Sequence, residues 1–582
     1  MTARTWPAVD RFRSSWRRRP AWPEVVLGVG VLVQGVIALV VGSRGWFSGD
    51  VIHYFTERGG LPGGTEGLNE PHAGHWQPVL IAVYRVMFEL FGLRTYLPYL
   101  ALTVLVHLAV VVLLYAILVR LGLNRWTALV AALLVLTYGS GSEAFLVEAP
   151  VALTAALALG LVTLHVLIGG DFSARSVLVG NLVLLVAVML SIGGVVAAVW
   201  VGCFALARGW RTMLATVALP AVSFVTWYLL AGRGGDRLYI RGAEWLEVPE
   251  AAATLLAQPF GDVVLAPNLG ATLLVGAVVG ALVGAARAPR LAALGLAGLL
   301  AAAVHAVLSS VAQVPFGDAQ VLTSRYRYVV LVLLVPAAAL AVQVVIDAVS
   351  PRVPDASRRI LAVGAAALAL GVLVNAAVDQ RTTARLVGDA GDLGQTLLRG
   401  TLAAVSTGEV PINDATRGEY FSGFDLARLT EPEAQSEIPA YEVDQADRIA
   451  AESRFFVRVS DEPLAEDPDI EPPLDPASML PSRLESLSFT TPLEQGPGCG
   501  RYLATSGTPS LRVTSYQGAA ITVTSRAGTV TTTLVRDDLG VRGDPQTWDV
   551  DPGDTLSIAT TAQVVTLEVG FDSGDYFEIC AG

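Results

Sequence analysis

Two short stretches of this chain carry side chains suited to proton transfer. Asp50 follows Gly49 directly after the first apolar run, in Trp46-Phe47-Ser48-Gly49-Asp50-Val51. A carboxylate held just beyond a helix end is placed to take a proton from an acceptor hydroxyl. Farther on, Asn69-Glu70-Pro71-His72-Ala73-Gly74-His75-Trp76 packs Glu70, His72 and His75 within six residues. With His53, this loop holds three of the chain's six histidines. Glu143 and Glu148 lie in another short loop. Glu70, His72, His75, Glu143 and Glu148 are therefore candidates to orient an acceptor or to hold a divalent metal. Ordinary solvation of exposed loops is the competing account, and no cofactor is assigned.

A third stretch, Ser324-Arg325-Tyr326-Arg327-Tyr328, brings two arginines to the start of an apolar run. Guanidinium pairs with phosphate through two parallel N–H bonds, and a tyrosine hydroxyl adds a third donor. Arg325, Tyr326 and Arg327 are thus candidate phosphate ligands, with snorkelling to the membrane surface as the alternative. Arg233, Arg237 and Arg241 form a second basic cluster. No glycine-rich nucleotide loop accompanies them.

These residues must be positioned by an unusually apolar chain. Of 582 residues, 53% are hydrophobic and 15% charged, with a mean hydropathy of +0.56. One soluble core cannot hide that much apolar surface. The bias is uneven: residues 24–378 hold the long apolar runs, whereas 379–582 read as water-soluble. Every basic residue is arginine, as a GC-rich coding sequence would give. The net charge of −12 falls largely after residue 400 and argues against a nucleic-acid partner.

About eleven spans follow from runs near the length needed to cross a bilayer. They lie at 25–41, 96–119, 127–140, 150–168, 176–190, 194–208, 213–231, 268–286, 291–310, 327–347 and 360–378. Arg11, Arg13 and Arg17 to Arg19 precede the first, which reads as an uncleaved helix with a cytoplasmic N-terminus. Arg120, Arg125, Arg175, Arg208, Arg211, Arg287, Arg290, Arg352, Arg358 and Arg359 then all fall on that same side. An odd number of spans places residues 379–582 outside. The expectation is a multi-pass plasma-membrane protein with its longer loops, at 43–95, 232–267 and 311–326, on the outer face. Val79–Phe91 reads as an interfacial amphipathic helix with Arg85 and Glu89 four apart. Gly276, Gly280 and Gly284 have the spacing of a helix-packing stripe. His107, His165 and His305 lie within spans, where ionisable groups are either packed or functional.

A first helix, an outer loop bearing an acidic residue and then an interfacial helix resemble the GT-C superfamily of membrane glycosyltransferases. The resemblance covers residues 1–378 and rests on the loop at 43–95. It implies that Asp50 is the catalytic base. It also implies that Arg325 and its neighbours grip a polyprenyl-phosphate-linked sugar donor, and that a glycan, glycolipid or protein is the acceptor. The paired acidic motif of many members is absent, because Gly49 precedes Asp50. A transporter or flippase of a lipid-linked glycan and a non-enzymatic envelope-assembly scaffold are the alternatives.

Residues 379–482 read as a loop-rich connection. From 483 to 582 the texture changes to short β runs at Ser510–Ser515, Ala520–Ser525, Val530–Val535, Thr555–Ala559, Val564–Val569 and Tyr576–Ile579, punctuated by turns. The expectation is an extracytoplasmic β-sandwich. It resembles in architecture the carbohydrate-binding sandwiches appended to some actinobacterial GT-C enzymes. Tyr516, Trp548 and Tyr576 are candidates to stack on sugars. Cys499 and Cys580 bracket this region, and a disulfide between them would staple its first and last strands in an oxidising compartment.

Overall fold

In lipid, an unbroken apolar run satisfies its backbone polar groups by forming a helix. The computed structural model describes residues 22–62, 67–72, 74–232, 245–314 and 321–349, helical pieces between 373 and 388, Leu429, Ala434, and strands between 458 and 581. The chain divides into two units, one of residues 1–46, 66–91 and 95–390, the other of 47–65, 92–94 and 391–582.

The first unit is helical. Its elements are α1 (Trp22–Gly42), α3 (Pro78–Phe91), α4 (Leu97–Arg120), α5 (Arg125–Leu136), α6 (Glu143–Leu146), α7 (Val151–Gly169) and α8 (Ala174–Val188). There follow α9 (Ile192–Leu206), α10 (Trp210–Leu230), α11 (Val248–Val264), α12 (Gly270–Gly284), α13 (Pro289–Gln313) and α14 (Ser324–Val349). Among the described residues, seven helical segments are long and apolar enough to cross a membrane: α1, α4, α7, α10, Pro267–Gly284, α13 and α14. The apolar helices α5, α8 and α9 are shorter. Ten of the apolar runs thus appear as helices, while of the run at 360–378 only residues 373, 374 and 376–378 are described, as helix. Leu32, Val130, Val222 and Leu282 project outward from the bundle, as side chains facing lipid would.

Small residues decide how closely the helices approach. On α13, a Cβ at Gly295 would sit 2.9 Å from Ala337 Cα, and one at Gly298 would collide with the Leu333 carbonyl. On α12, Gly284 meets Leu340 at 2.8 Å and Gly280 abuts Ala341, whereas Gly276 faces open space. The glycine stripe therefore packs α12 on α14 through two of its three members. With Tyr328 to Pro336 buried in succession, α14 is the centre of the bundle.

Two details depart from the sequence reading. The run at 127–140 stops as helix at Leu136, because Tyr138-Gly139-Ser140-Gly141 breaks into a short 3₁₀ turn. Gly139 lies there against Ala376 and Asp379, with no room for a side chain. The segment at 232–267 is not all loop, since Val248–Val264 forms α11.

Among its described residues, the second unit contains α2 (Gly49–Glu57) and twelve strands. The strands are β1 (Arg458–Ser460), β2 (Arg483–Ser488), β3 (Thr490–Gly496), β4 (Cys499–Ala504), β5 (Ser510–Ser515), β6 (Ala519–Ser525) and β7 (Thr529–Arg536). The remainder are β8 (Val541–Arg542), β9 (Gln546–Asp549), β10 (Thr555–Thr560), β11 (Val565–Phe571) and β12 (Tyr576–Ala581). One antiparallel sheet runs β1-β10-β6-β12-β4-β3; the other runs β2-β5-β11-β7-β8, with β9 also on β7. Six of these strands, β1, β2, β3, β4, β8 and β9, fall outside the β runs read from the sequence. Cys499 and Cys580 stand directly opposite each other on β4 and β12, so the first cysteine is not on the first strand as expected.

Candidate functional site

Around the first turn of α14, several charged and polar side chains of the helical unit are bonded to one another. The first turn of α14 supplies two arginines spaced two apart, which a helix directs to opposite sides. Arg325 Nη1 donates to Glu143 Oε1 at 3.2 Å, and its backbone N–H donates to Oε2 at 3.3 Å. The Glu143 backbone N–H in turn donates to Ser324 Oγ at 3.1 Å. Two residues that the sequence proposed for different tasks are therefore bonded to each other.

On the other side, Arg327 Nη1 donates to Asp262 Oδ2 at 3.2 Å. The same oxygen accepts from Tyr138 OH at 2.7 Å, and Oδ1 accepts from Gln258 Nε2 at 2.8 Å. Burial and then the Asp262 charge push the Tyr138 phenol well above its usual range. The Tyr138 hydroxyl thus stays a donor at any physiological pH. A small open groove lies beside this cluster, lined by Thr137, Tyr138, Ser140, Asp262 and Asp379 with Leu134, Val263 and Ala376.

Residues 376–385, themselves helical, are tied to the same end. Ser140 Oγ donates to Asp379 at 2.9 Å and Ser142 Oγ to Thr383 Oγ1 at 2.8 Å. Gln380 bridges helices by donating to the Thr137 carbonyl at 3.2 Å and accepting from Gln34 at 3.3 Å. Glu148 is fully buried and accepts from Tyr96 OH at 2.7 Å. Burial, and next the Glu148 charge, raise the Tyr96 pKa well above its ordinary value.

The loop carrying the imidazoles is tied down by hydrogen bonds and a ring stack. His72 and His75 exchange both backbone hydrogen bonds, at 3.1 and 2.8 Å, around Gly74 with φ +73°. Opposed residues of such a pair project to one face, so both imidazoles leave the turn together. Trp76 then stacks on Trp227 of α10, with ring centroids 5.5 Å apart. Asn69 joins both indoles, its side chain accepting from Trp76 at 3.3 Å and its carbonyl from Trp227 at 2.8 Å. Beyond it α3 begins, anchored by the Val79 N–H on the Met189 carbonyl at 3.2 Å. Glu70 lies exposed on the same loop.

Asp50 belongs to the second unit. It occupies the first turn of α2, exposed, while the seven residues after it are buried. The sequence placed it in a loop beyond a helix end; it sits instead at a helix start, where the dipole favours a carboxylate. His107 is settled as a packing residue: Nδ1 bonds Tyr328 OH at 2.8 Å, Nε2 bonds the Leu136 carbonyl at 3.3 Å, and the ring stacks on Phe145. His305 is buried with its ring edge-on to Tyr326. Arg233, Arg237 and Arg241 lie outside the described residues.

Sequence reasoning missed Asp262, Tyr138, Gln258, Asp379 and Tyr96. Asp262 had one visible signal, as the lone carboxylate in Phe260-Gly261-Asp262-Val263-Val264. Among the described residues, no group of three or more His, Cys, Asp or Glu is arranged to hold a metal ion. Comparison with protein-family models, with curated proteins and with solved structures finds no match for this chain.

Proposed function

We propose that this protein is an integral-membrane glycosyltransferase of GT-C type, transferring a sugar from a polyprenyl-phosphate donor to an extracytoplasmic glycan, lipid or protein. The observation that carries the reading is the meeting of guanidinium, carboxylate and phenol groups, partly out of water, at one end of a bundle of apolar helices. A lipid-linked phosphosugar presents such chemistry, with an apolar tail for the helices and a charged head for their ends. Arg325 is the donor-phosphate ligand in this reading, with Tyr326 beside it. Arg327 serves less directly, since Asp262 already engages it.

In the reaction, Asp50 takes the proton of an acceptor hydroxyl and the oxygen attacks the anomeric carbon. The bond from that carbon to the phosphate oxygen breaks, and the phosphate departs with the electron pair, its charge met by Arg325. Glu70, His72 and His75 orient the acceptor. The multi-pass plasma-membrane location, the cytoplasmic N-terminus and the outer position of residues 379–582 belong to the same proposal. So do packing of the two sheets as a carbohydrate-binding β-sandwich and a disulfide from Cys499 to Cys580. Adjacent antiparallel partners lie within the Cα separation a disulfide needs, about 4.4–6.8 Å.

The test is transfer by purified full-length protein from a radiolabelled polyprenyl-phosphate sugar to a glycan acceptor. Asp50→Asn is expected to lower turnover by at least about a hundredfold without changing the melting temperature. Full turnover in that variant removes Asp50 as the base. Absence of transfer from any polyprenyl-phosphate donor removes the enzyme reading.

A further inference from the structure

Two arginines stand together at the edge of the bundle above a bare apolar strip. α8 and α10 each reverse direction against α9, so they run parallel and start at the same end. They also pack on each other, where Asn181 Nδ2 donates to the Ala215 carbonyl. Arg175 precedes Asn181 by six residues and Arg211 precedes Ala215 by four, or roughly 9 and 6 Å along the helix axes. Both guanidinium groups therefore belong to the same end of one helix–helix seam.

Arg175 and Arg211 are exposed, and among the described residues no carboxylate pairs with either. Three other arginines of that end are already answered: Arg125 meets Glu24, while Arg208 and Arg290 share Asp171. Arg211 instead lies 5.4 Å from the centroid of the Trp210 ring, which is itself exposed. Indoles at helix ends settle at the level of lipid headgroups, so Arg211 is set at phosphate depth.

Below the pair the surface is apolar. Ala215 lies one turn past Arg211 and touches α8, so Val222, two turns farther along that face, borders the seam. Leu178 and Leu182, three before and one after Asn181, border it from α8. All three side chains are exposed. Of the seven spanning helices among the described residues, α10 is the least covered by protein. A doubly basic rim over an apolar strip complements a phospholipid of net negative charge. A zwitterionic headgroup carries its own cation beside the phosphate and gains less from the two arginines.

We infer that the α8–α10 seam binds an anionic phospholipid, its phosphate held by Arg175 and Arg211 and an acyl chain laid along Leu178, Leu182 and Val222. Guanidinium–phosphate hydrogen bonds supply the headgroup contact, and the chain covers the apolar strip. The site is separate from the proposed sugar transfer, since it uses none of the residues assigned to that reaction.

Full-length protein in detergent is equilibrated with equal amounts of dioleoylphosphatidylglycerol and dioleoylphosphatidylcholine, and native mass spectrometry reads the ratio retained. The acyl chains are identical, so the ratio reports headgroup charge. The natural protein is expected to favour the anionic lipid at least about tenfold, and Arg175→Gln or Arg211→Gln to lower that preference roughly fivefold each. Arg211→Lys keeps the charge and should keep most of the preference. Arg287 is the control, being exposed and without a carboxylate partner among the described residues, but on the turn between α12 and α13. Arg287→Gln is expected to change the ratio by less than about twofold. No preference in the natural protein, or full preference in either Gln variant, overturns the inference. So does an Arg287→Gln loss as large as theirs, which would assign the preference to the diffuse charge of the whole end. Full preference in the Gln variants, with a dimer in light scattering, would give the seam to a second copy of the chain.

Discussion

The two ends of the helical unit use charge in different ways. At one end, Glu24 pairs with Arg125 at 3.1 Å with 31% and 51% of their side chains exposed. Asp171 there meets Arg208 and, at 3.8 Å, Arg290, and is itself 60% exposed. Such pairs are worth roughly 0–1 kcal/mol. At the other end, Asp262 is nearly buried beneath three donors and Glu148 is fully buried against a tyrosine. The first arrangement marks a solvated helix boundary; the second fixes polar groups at the cost of taking them from water. Conformational constraint of that kind is what a binding site needs and a boundary does not.

Breaking the buried network should show the largest effect. Asp262→Ala leaves Arg327 without its carboxylate and Tyr138 without its acceptor, and is expected to cost about 2–3 kcal/mol. Chemical denaturation of the detergent-solubilised protein measures it, and a loss below about 0.5 kcal/mol would make the two ends equivalent.

A middle-sized effect is expected from the tyrosines, and it carries a pH signature. In the unfolded chain their phenols titrate near 10.0, whereas in the fold Tyr96 and Tyr138 hold their protons to higher pH. The unfolded state therefore releases protons first as pH rises. The contribution of each tyrosine is fully present below pH 10 and is lost above it. Tyr96→Phe should cost about 1–2 kcal/mol near neutrality and flatten the alkaline decline of the melting temperature. An unchanged slope above pH 10 would count against the burial and the Glu148 charge that hold the Tyr96 proton in the fold.

The smallest effect is expected at the solvated end. Arg208→Ala should change stability by less than about 1 kcal/mol, and added salt should erase the difference. A loss as large as that of Asp262→Ala would cancel the contrast altogether.

The apolar helices were legible in the sequence because a run long enough for lipid has few other structures open to it. Glu143 and Arg325 were each legible as chemically active types, but their bond joins positions 182 apart, and no local pattern carries such a pairing. Asp262 was hidden for a related reason: its segment, interrupted by Pro259 and Gly261, read as loop, and only the fold brings Tyr138 and Arg327 to it. In the strand region, β3 runs through Thr490-Thr491-Pro492 and carries a register shift opposite β4. Proline and an irregular ladder blur the alternation by which strands are recognised. By contrast β5, with unbroken alternation in Ser510-Leu511-Arg512-Val513-Thr514-Ser515, was bounded to the residue.

One topological detail bears on how the strand region comes to exist. β12 is the last of the described strands, yet it lies inside its sheet, between β6 and β4. Until Tyr576–Ala581 has been synthesised, those two neighbours each present a bare edge able to recruit a foreign strand. Folding of this sheet must therefore await the arrival of its latest segment. Nascent or clipped chains ending before Tyr576 would be prone to aggregate rather than merely less active.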